Sequence, residues 1–151
     1  IRELFMEENV FYKNGLDFSC RQCSRCCRFE GGAVLLSRED LNSLAQWAQL
    51  TPEQFIKVYC RFLEDDSGTK YLCLRDKNKS DCIFWNNGCE AYSARPAQCR
   101  SYPFWTKILS SQKAWDNESN VCPGINCGEH HCKNEIEKEL SVYKSRIPLT
   151  E

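Results

Sequence analysis

Cys20, Cys23, Cys26 and Cys27 form the run C-x-x-C-x-x-C-C, four thiols within a single short segment. A C-x-x-C turn points both sulfurs the same way and leaves backbone N–H groups to hydrogen-bond them. That arrangement suits a soft metal ion or an iron–sulfur cluster better than it suits packing. Cys20, Cys23 and Cys26 at x2 and x2 spacing, with a remote Cys122-Pro123 step, echo the bacterial ferredoxin arrangement for a four-iron cluster. Zinc ribbons also use C-x-x-C, and zinc needs only two or four of these sulfurs per ion, so the spacing leaves both metals open. Cys82, Cys89 and Cys99 lie farther apart and close no site alone. The natural fourth ligand for them is one of the vicinal pair Cys26 and Cys27, which would then join two centres.

Disulfides are the competing use of these thiols. The chain has 12 cysteines in 151 residues, a density at which a covalent or metallic framework is expected. A disulfide between sequence neighbours requires a strained ring, and separate disulfides from Cys26 and Cys27 would crowd the loop; metal ligation by both carries no such strain. Cys127, His130, His131 and Cys132 have ligand chemistry at short spacing and form a candidate third metal site, against the plainer reading of surface-loop histidines. Cys60 and Cys73 fall on a helix and a strand of the sequence reading, where a free cysteine behaves as a small buried hydrophobe.

Charge narrows the partners. Lysine and arginine number 20 and aspartate and glutamate 21, a formal net charge of -1, so neither nucleic acid nor an anionic membrane is expected as the main partner. No stretch approaches the ~18 consecutive apolar residues of a membrane span, and residues Ile1 to Asn9 are too acidic for a signal peptide, so a cytoplasmic location is expected. There is no glycine-rich phosphate loop, nucleophile elbow or paired-carboxylate motif; an enzyme here would depend on its metal.

The elements that must position these residues are short. Residues before Cys20 carry scattered aromatics, Phe5, Phe11, Tyr12 and Phe18, suited to a core, and Gly31-Gly32 ends the cysteine loop with a turn. After an extended piece, Ala33 to Leu36, Ser37 is an N-cap with Asp40 at N3, and Leu41, Leu44, Ala45 and Ala48 recur at helical spacing through Gln49. Thr51-Pro52-Glu53-Gln54 starts a second helix, expected to run to about Leu63 and to stop at Asp65-Asp66-Ser67-Gly68. Tyr71 to Leu74 and Cys82 to Trp85 read as two strands of a small hairpin, and Asn86-Asn87-Gly88 as a sharp turn into Cys89. Residues 89–105 are dense in special residues and poor in periodicity, as in a segment held by a site. A polar stretch follows, and Ile136, Leu140 and Tyr143 mark a last amphipathic helix. The expected fold is α+β: one domain over residues 1–151, with three or four helices, a short antiparallel hairpin and long loops around metal centres.

In this order the residues resemble the CxxCxxCC, or YkgJ-like, cysteine-cluster family, described as a zinc- or iron-chelating domain. The resemblance runs from Phe18 to Arg28, through Gly32-Ala33-Val34, Ser37, Asp40 and Thr51 to Tyr59. It continues in Cys82-Ile83-Phe84-Trp85, Gly88-Cys89-Glu90-Ala91-Tyr92, Arg95-Pro96 and Cys99-Arg100-Ser101-Tyr102-Pro103-Phe104, and closes at Cys122-Pro123-Gly124. It implies eight cluster cysteines: Cys20, Cys23, Cys26, Cys27, Cys82, Cys89, Cys99 and Cys122. Ser24 stands where relatives often carry glycine. Flagellin lysine N-methylases look like a larger branch of the family, with a four-iron cluster and methyl transfer from S-adenosylmethionine; this chain is much shorter.

Arg21, Arg25, Arg28, Arg95 and Arg100 lie next to or near cluster cysteines in sequence and would offset the roughly two negative charges of a tetrathiolate centre; alternatively some grip an anionic substrate. Tyr92 and Tyr102, with Arg95 and Arg100, are expected to surround the centre as a shell that excludes water. Three functions fit these residues: a redox or catalytic protein holding [4Fe-4S] clusters, favoured here; a zinc-stabilised module that binds a protein partner; and a metal carrier. The substrate or protein partner, and whether the protein is an enzyme, are not written in the residues.

Overall fold

Ser37 and Thr51 each open a helix with a reciprocal cap in the computed structural model, which describes residues 10–21, 33–77 and 81–151. Helix α1 (Arg38–Trp47) begins where Ser37 Oγ accepts from Asp40 N at 3.2 Å while Asp40 Oδ2 accepts from Ser37 N at 3.0 Å. Helix α2 (Pro52–Tyr59) repeats the device with Thr51 and Gln54 at 3.2 and 2.9 Å. Each cap satisfies amide donors that a helix start otherwise leaves unpaired. Leu41, Leu44 and Ala45 of α1 and Phe55 of α2 are buried in one apolar cluster with Leu36, Leu72, Leu74 and Phe84.

The second helix stops at Tyr59, four residues short of the expected end, and the chain continues as strand β2 (Cys60–Glu64). Strand β2 pairs antiparallel with β3 (Lys70–Leu74), from Cys60↔Leu74 to Glu64↔Lys70. Asp65-Asp66-Ser67-Gly68 is therefore the turn of a hairpin: Asp65 Oδ1 accepts from Ser67 N and Thr69 N, both at 2.9 Å. The expected pairing of Tyr71–Leu74 with Cys82–Trp85 is corrected. Strand β4 (Asp76–Lys77) pairs instead with β5 (Asp81–Cys82). Along its other edge β3 meets residues 34–36, with Leu36 N to Leu72 O at 3.0 Å, and the C-terminal tail, with Leu72 N to Leu149 O at 2.8 Å.

By its internal contacts the chain divides into two compact units, Ile1–Arg21 with Ser101–Lys144, and Gln22–Arg100 with Ser145–Glu151. The elements above and α3 (Ala97–Ser101) build most of the second. In the first, β1 (Leu16–Phe18) pairs antiparallel with β6 (Ile125–His131), with an irregularity between Asp17 and Phe18. Helix α4 (Gln112–Asn117) starts on Ser111, and α5 (Lys133–Ser145) is the expected last helix. Their core holds Tyr12, Leu16, Phe18, Phe104, Trp115, Ile125, Ile136 and Leu140. Trp115, fully buried, stacks on Phe104 at 5.8 Å and donates its Nε1–H to Asn126 Oδ1 at 2.9 Å. The described residues thus carry five α-helices and three short antiparallel pairs, an α+β fold. No helix among them is long and apolar enough to cross a membrane. Phe5, Cys23, Cys26, Cys27 and the Gly31-Gly32 turn lie outside the described residues.

The two helix caps differ in consequence. Thr51→Ala removes one exposed cap and should lower unfolding stability by about 1 kcal/mol. Asp40→Ala strips hydrogen-bond acceptors from two buried backbone amides, Ser37 N and Ala97 N, and should lower it by about 2–3 kcal/mol. Denaturant unfolding of the two variants checks this ordering; equal losses would contradict it.

Candidate metal centre

Cys82 and Cys89 sit on one tight excursion of the chain. The carbonyl of Cys82 accepts from Trp85 N at 2.9 Å, Trp85 and Cys89 form an antiparallel bridge, and Glu90 N donates to Phe84 O at 2.9 Å. The reversal falls at Asn87 (φ 53°) and Gly88 (φ 145°), where positive φ favours asparagine and glycine. Phe84, inside this loop, is buried and stacks against Phe55 at 6.1 Å, with Tyr59 and Trp47 rings at 5.0 and 5.4 Å. The loop is thereby anchored to α1 and α2 by apolar contact, and both cysteines stay half-buried.

Cys99 is placed by its neighbours. Asp40 of α1 reaches α3 through its second oxygen, which accepts from Ala97 N at 2.9 Å. The Gln98 side chain makes two bonds to the segment that follows the cysteine run: Oε1 accepts from Leu35 N at 3.0 Å and Nε2 donates to Ala33 O at 2.9 Å. The residue before Cys99 thus fastens the extended piece at Ala33 and Leu35. Asp40 was legible as a cap; the role of Gln98 had no local signal, because its partners lie more than 60 residues away.

Cys20 and Cys122 lie in the first unit. Ser19 N donates to Gly124 O at 3.4 Å, so the residue before Cys20 meets the third residue of Cys122-Pro123-Gly124. Gly124 has no room for a side chain: a Cβ there would collide with the Ser19 carbonyl oxygen. Cys122 is buried and Cys20 exposed. Among the described residues, no three His, Cys, Asp or Glu side chains gather into a group that could hold a metal; Cys23, Cys26 and Cys27 lie outside those residues.

Cys127, His130, His131 and Cys132 are all described and are not brought together as a ligand set. Successive strand residues point to opposite faces, and each histidine has another partner. His130 Nδ1 lies 2.7 Å from Asp17 Oδ1, and His131 Nε2 lies 2.8 Å from Phe18 O. Cys132 donates to Glu135 Oε1 at 3.3 Å.

The remaining shell residues divide. Arg95 donates its Nε–H to Tyr92 O at 3.1 Å and lays its guanidinium 3.8 Å from the Tyr92 ring centroid, a cation–π stack. Arg95 and Arg100 both line a cleft of about 440 Å³ beside α1. Tyr102 instead donates its hydroxyl to the Glu118 carboxylate and packs edge-on against Trp105 at 5.1 Å. Cys60 and Cys73 are buried thiols with a different chemistry. Burial, the neighbouring Cys73 and a weaker opposing effect of Arg75 leave Cys60 raised from 9.0 to about 12; burial also raises Cys73. Both favour the neutral thiol, which is a poor metal ligand.

Comparison with known proteins adds three findings. The sequence model of the CxxCxxCC family, described as "Putative zinc- or iron-chelating domain", matches residues 19–123. That span takes in the ten cysteines from Cys20 to Cys122, Cys60 and Cys73 among them, and leaves out Cys127, His130, His131 and Cys132. The chain is also similar to the uncharacterised protein MJ0661 of Methanocaldococcus jannaschii, 24% identical over 136 residues, or 84% of this chain and 68% of that protein. No solved structure matches the chain.

Two outcomes follow from this geometry. Gly124→Ala forces apart the Ser19 and Gly124 backbones and should cost about 1–3 kcal/mol in denaturant unfolding, and a fully stable variant would contradict the close approach. Cys60 has a folded pKa raised above its unfolded value, so its contribution to stability is complete below about pH 9 and is lost as pH climbs towards about 12. The pH dependence of unfolding in this window should be shallower in Cys60→Ala than in the wild type; parallel curves would refute the shift.

Proposed function

Because this chain belongs to the CxxCxxCC family of zinc- or iron-chelating domains, we propose that thiolates of Cys20, Cys23, Cys26, Cys27, Cys82, Cys89, Cys99 and Cys122 hold iron–sulfur chemistry and that the protein's role is redox or catalytic. The observation that carries this reading is the family match, which begins one residue before the first of these cysteines and ends one residue after the last. The donor set also fits. Cys82, Cys89 and Cys99 are half-buried thiols on short backbone pieces fastened by Phe84, Asp40 and Gln98, as ligands that must be held in place require. Thiols select soft centres, iron–sulfur clusters and zinc among them. The x2-x2 run with a remote Cys-Pro favours a [4Fe-4S] cluster, which would supply one-electron chemistry or an open iron for a substrate.

Zinc is the second reading, favoured by the family description and by the shortness of the elements that carry Cys82 and Cys99, which a structural ion would brace. On that reading the protein is a zinc-tied module for a protein partner, or a metal carrier.

Anaerobic purification followed by iron, acid-labile sulfide and zinc analysis decides between them. A brown protein absorbing near ~400 nm and bleaching on reduction is expected. Cys89→Ser and Cys99→Ser should lose most of the iron, whereas Cys60→Ala and Cys73→Ala should keep it. A colourless protein carrying stoichiometric zinc overturns the iron–sulfur reading, and a protein that takes up neither metal overturns both.

A further inference from the structure

The cleft beside α1 carries two guanidinium groups that no carboxylate pairs among the described residues. We propose that it is a binding site for a small organic anion, a carboxylate or a phosphate, gripped by Arg95 and Arg100 with its body against Trp47. This inference does not rest on the metal reading.

Size comes first: about 440 Å³ falls within the range of small-ligand clefts. Charge comes next. The cleft also contains Glu39 and Asp40, but Asp40 is buried, and its two oxygens accept from Ser37 N and Ala97 N. Two amide dipoles hold that carboxylate, and it is not available to pair a guanidinium. Two arginines then face one acidic side chain, Glu39, a balance that favours an anion.

Preorganisation is the third element. Arg95 is a long side chain that would ordinarily lose rotamer freedom on gripping a ligand. Here the Tyr92 ring beneath it and the bond from Nε to the Tyr92 carbonyl already fix it. Those contacts use its ring-facing plane and one donor, whereas carboxylates and phosphates are recognised by the guanidinium's paired terminal donors. Ser43 and Gln46 add neutral hydrogen-bonding groups, and Trp47, 36% exposed, offers an apolar face. Charge compensation of thiolates alone would need none of these: neither the stack, the neutral polar groups nor the exposed indole.

The test is titration of the protein as purified with inorganic phosphate and, separately, with succinate, against sodium chloride at matched ionic strength, followed by calorimetry and tryptophan fluorescence. Saturable binding of at least one of the two is expected, and the stronger one identifies the phosphate or the carboxylate source. Arg95→Ala and Arg100→Ala should each weaken it about ten-fold or more, with Arg61→Ala, a surface residue paired with Asp76 at 3.1 Å, unchanged. The fluorescence response should disappear in Trp47→Phe while calorimetric binding persists. The proposal is overturned if neither probe saturates, if the arginine variants bind as the wild type does, if Arg61→Ala weakens binding equally, or if the arginine variants lose metal and the wild type shows no anion binding.

Discussion

Much of the Gln22–Arg100 unit depends on one carboxylate. Asp40 accepts from Ser37 N with one oxygen and from Ala97 N with the other, while its own backbone N–H is capped by Ser37 Oγ. A single buried side chain therefore starts α1 and holds the beginning of α3, 57 residues later. Everything of chemical interest on the later segment follows from that: Cys99 and Arg100 lie on α3, and Gln98 carries the fastening one step further to Ala33 and Leu35. Buried carboxylates are costly unless fully bonded, and this one is tolerated because both oxygens have backbone partners.

The thiols separate by environment rather than by sequence spacing. Cys60 and Cys73 sit on the paired strands β2 and β3, fully buried, and favour the neutral thiol because the nearby Arg75 and Arg61 offset only part of the loss of water around a thiolate. Cys82 ends the two-residue strand β5, Cys89 lies on the loop after it and Cys99 on the five-residue helix α3, each with part of its surface open. A cysteine inside a paired, buried strand packs; a half-buried cysteine on a short element or loop fixed from outside by an aromatic or an amide keeps its sulfur accessible. The same residue type thus meets two environments within one unit, and the backbone decides which.

What was legible in the chain was mostly local. The capping boxes at Ser37 and Thr51 depend on partners three residues apart, and Asn87-Gly88 on conformations those residues adopt readily, so pattern alone found them. Strand β2 was missed because Cys60, Phe62 and Leu63 continue the apolar spacing of α2, and only the distant β3 makes extended backbone worthwhile. With that the expected Tyr71–Trp85 hairpin lost its first strand to an earlier partner. Helix α4 offers a single buried anchor, Trp115, although Ser111 caps Ala114 N at 3.0 Å as a start signal. Strand β6 is polar along nearly its whole length, and its pairing with β1 is carried by backbone groups that no side-chain period reveals.

The Cys122-Pro123-Gly124 step shows how a sequence signature can mix two requirements that read alike. Cys122 offers a sulfur, whereas Gly124 is there for its missing Cβ, since the Ser19 carbonyl occupies the space a side chain would need. Ser19 also accepts from Glu129 N through its hydroxyl at 2.8 Å, and a Cβ on Gly128 would strike its side chain, so the residue before Cys20 is held by 124 on one side and 128–129 on the other. Read as chemistry alone, the motif ends at the cysteine and proline. Read with packing, its glycine is what lets the segment after Cys122 lie against the segment that leads into Cys20, and a ligand placed by backbone contact of this kind needs no regular element of its own.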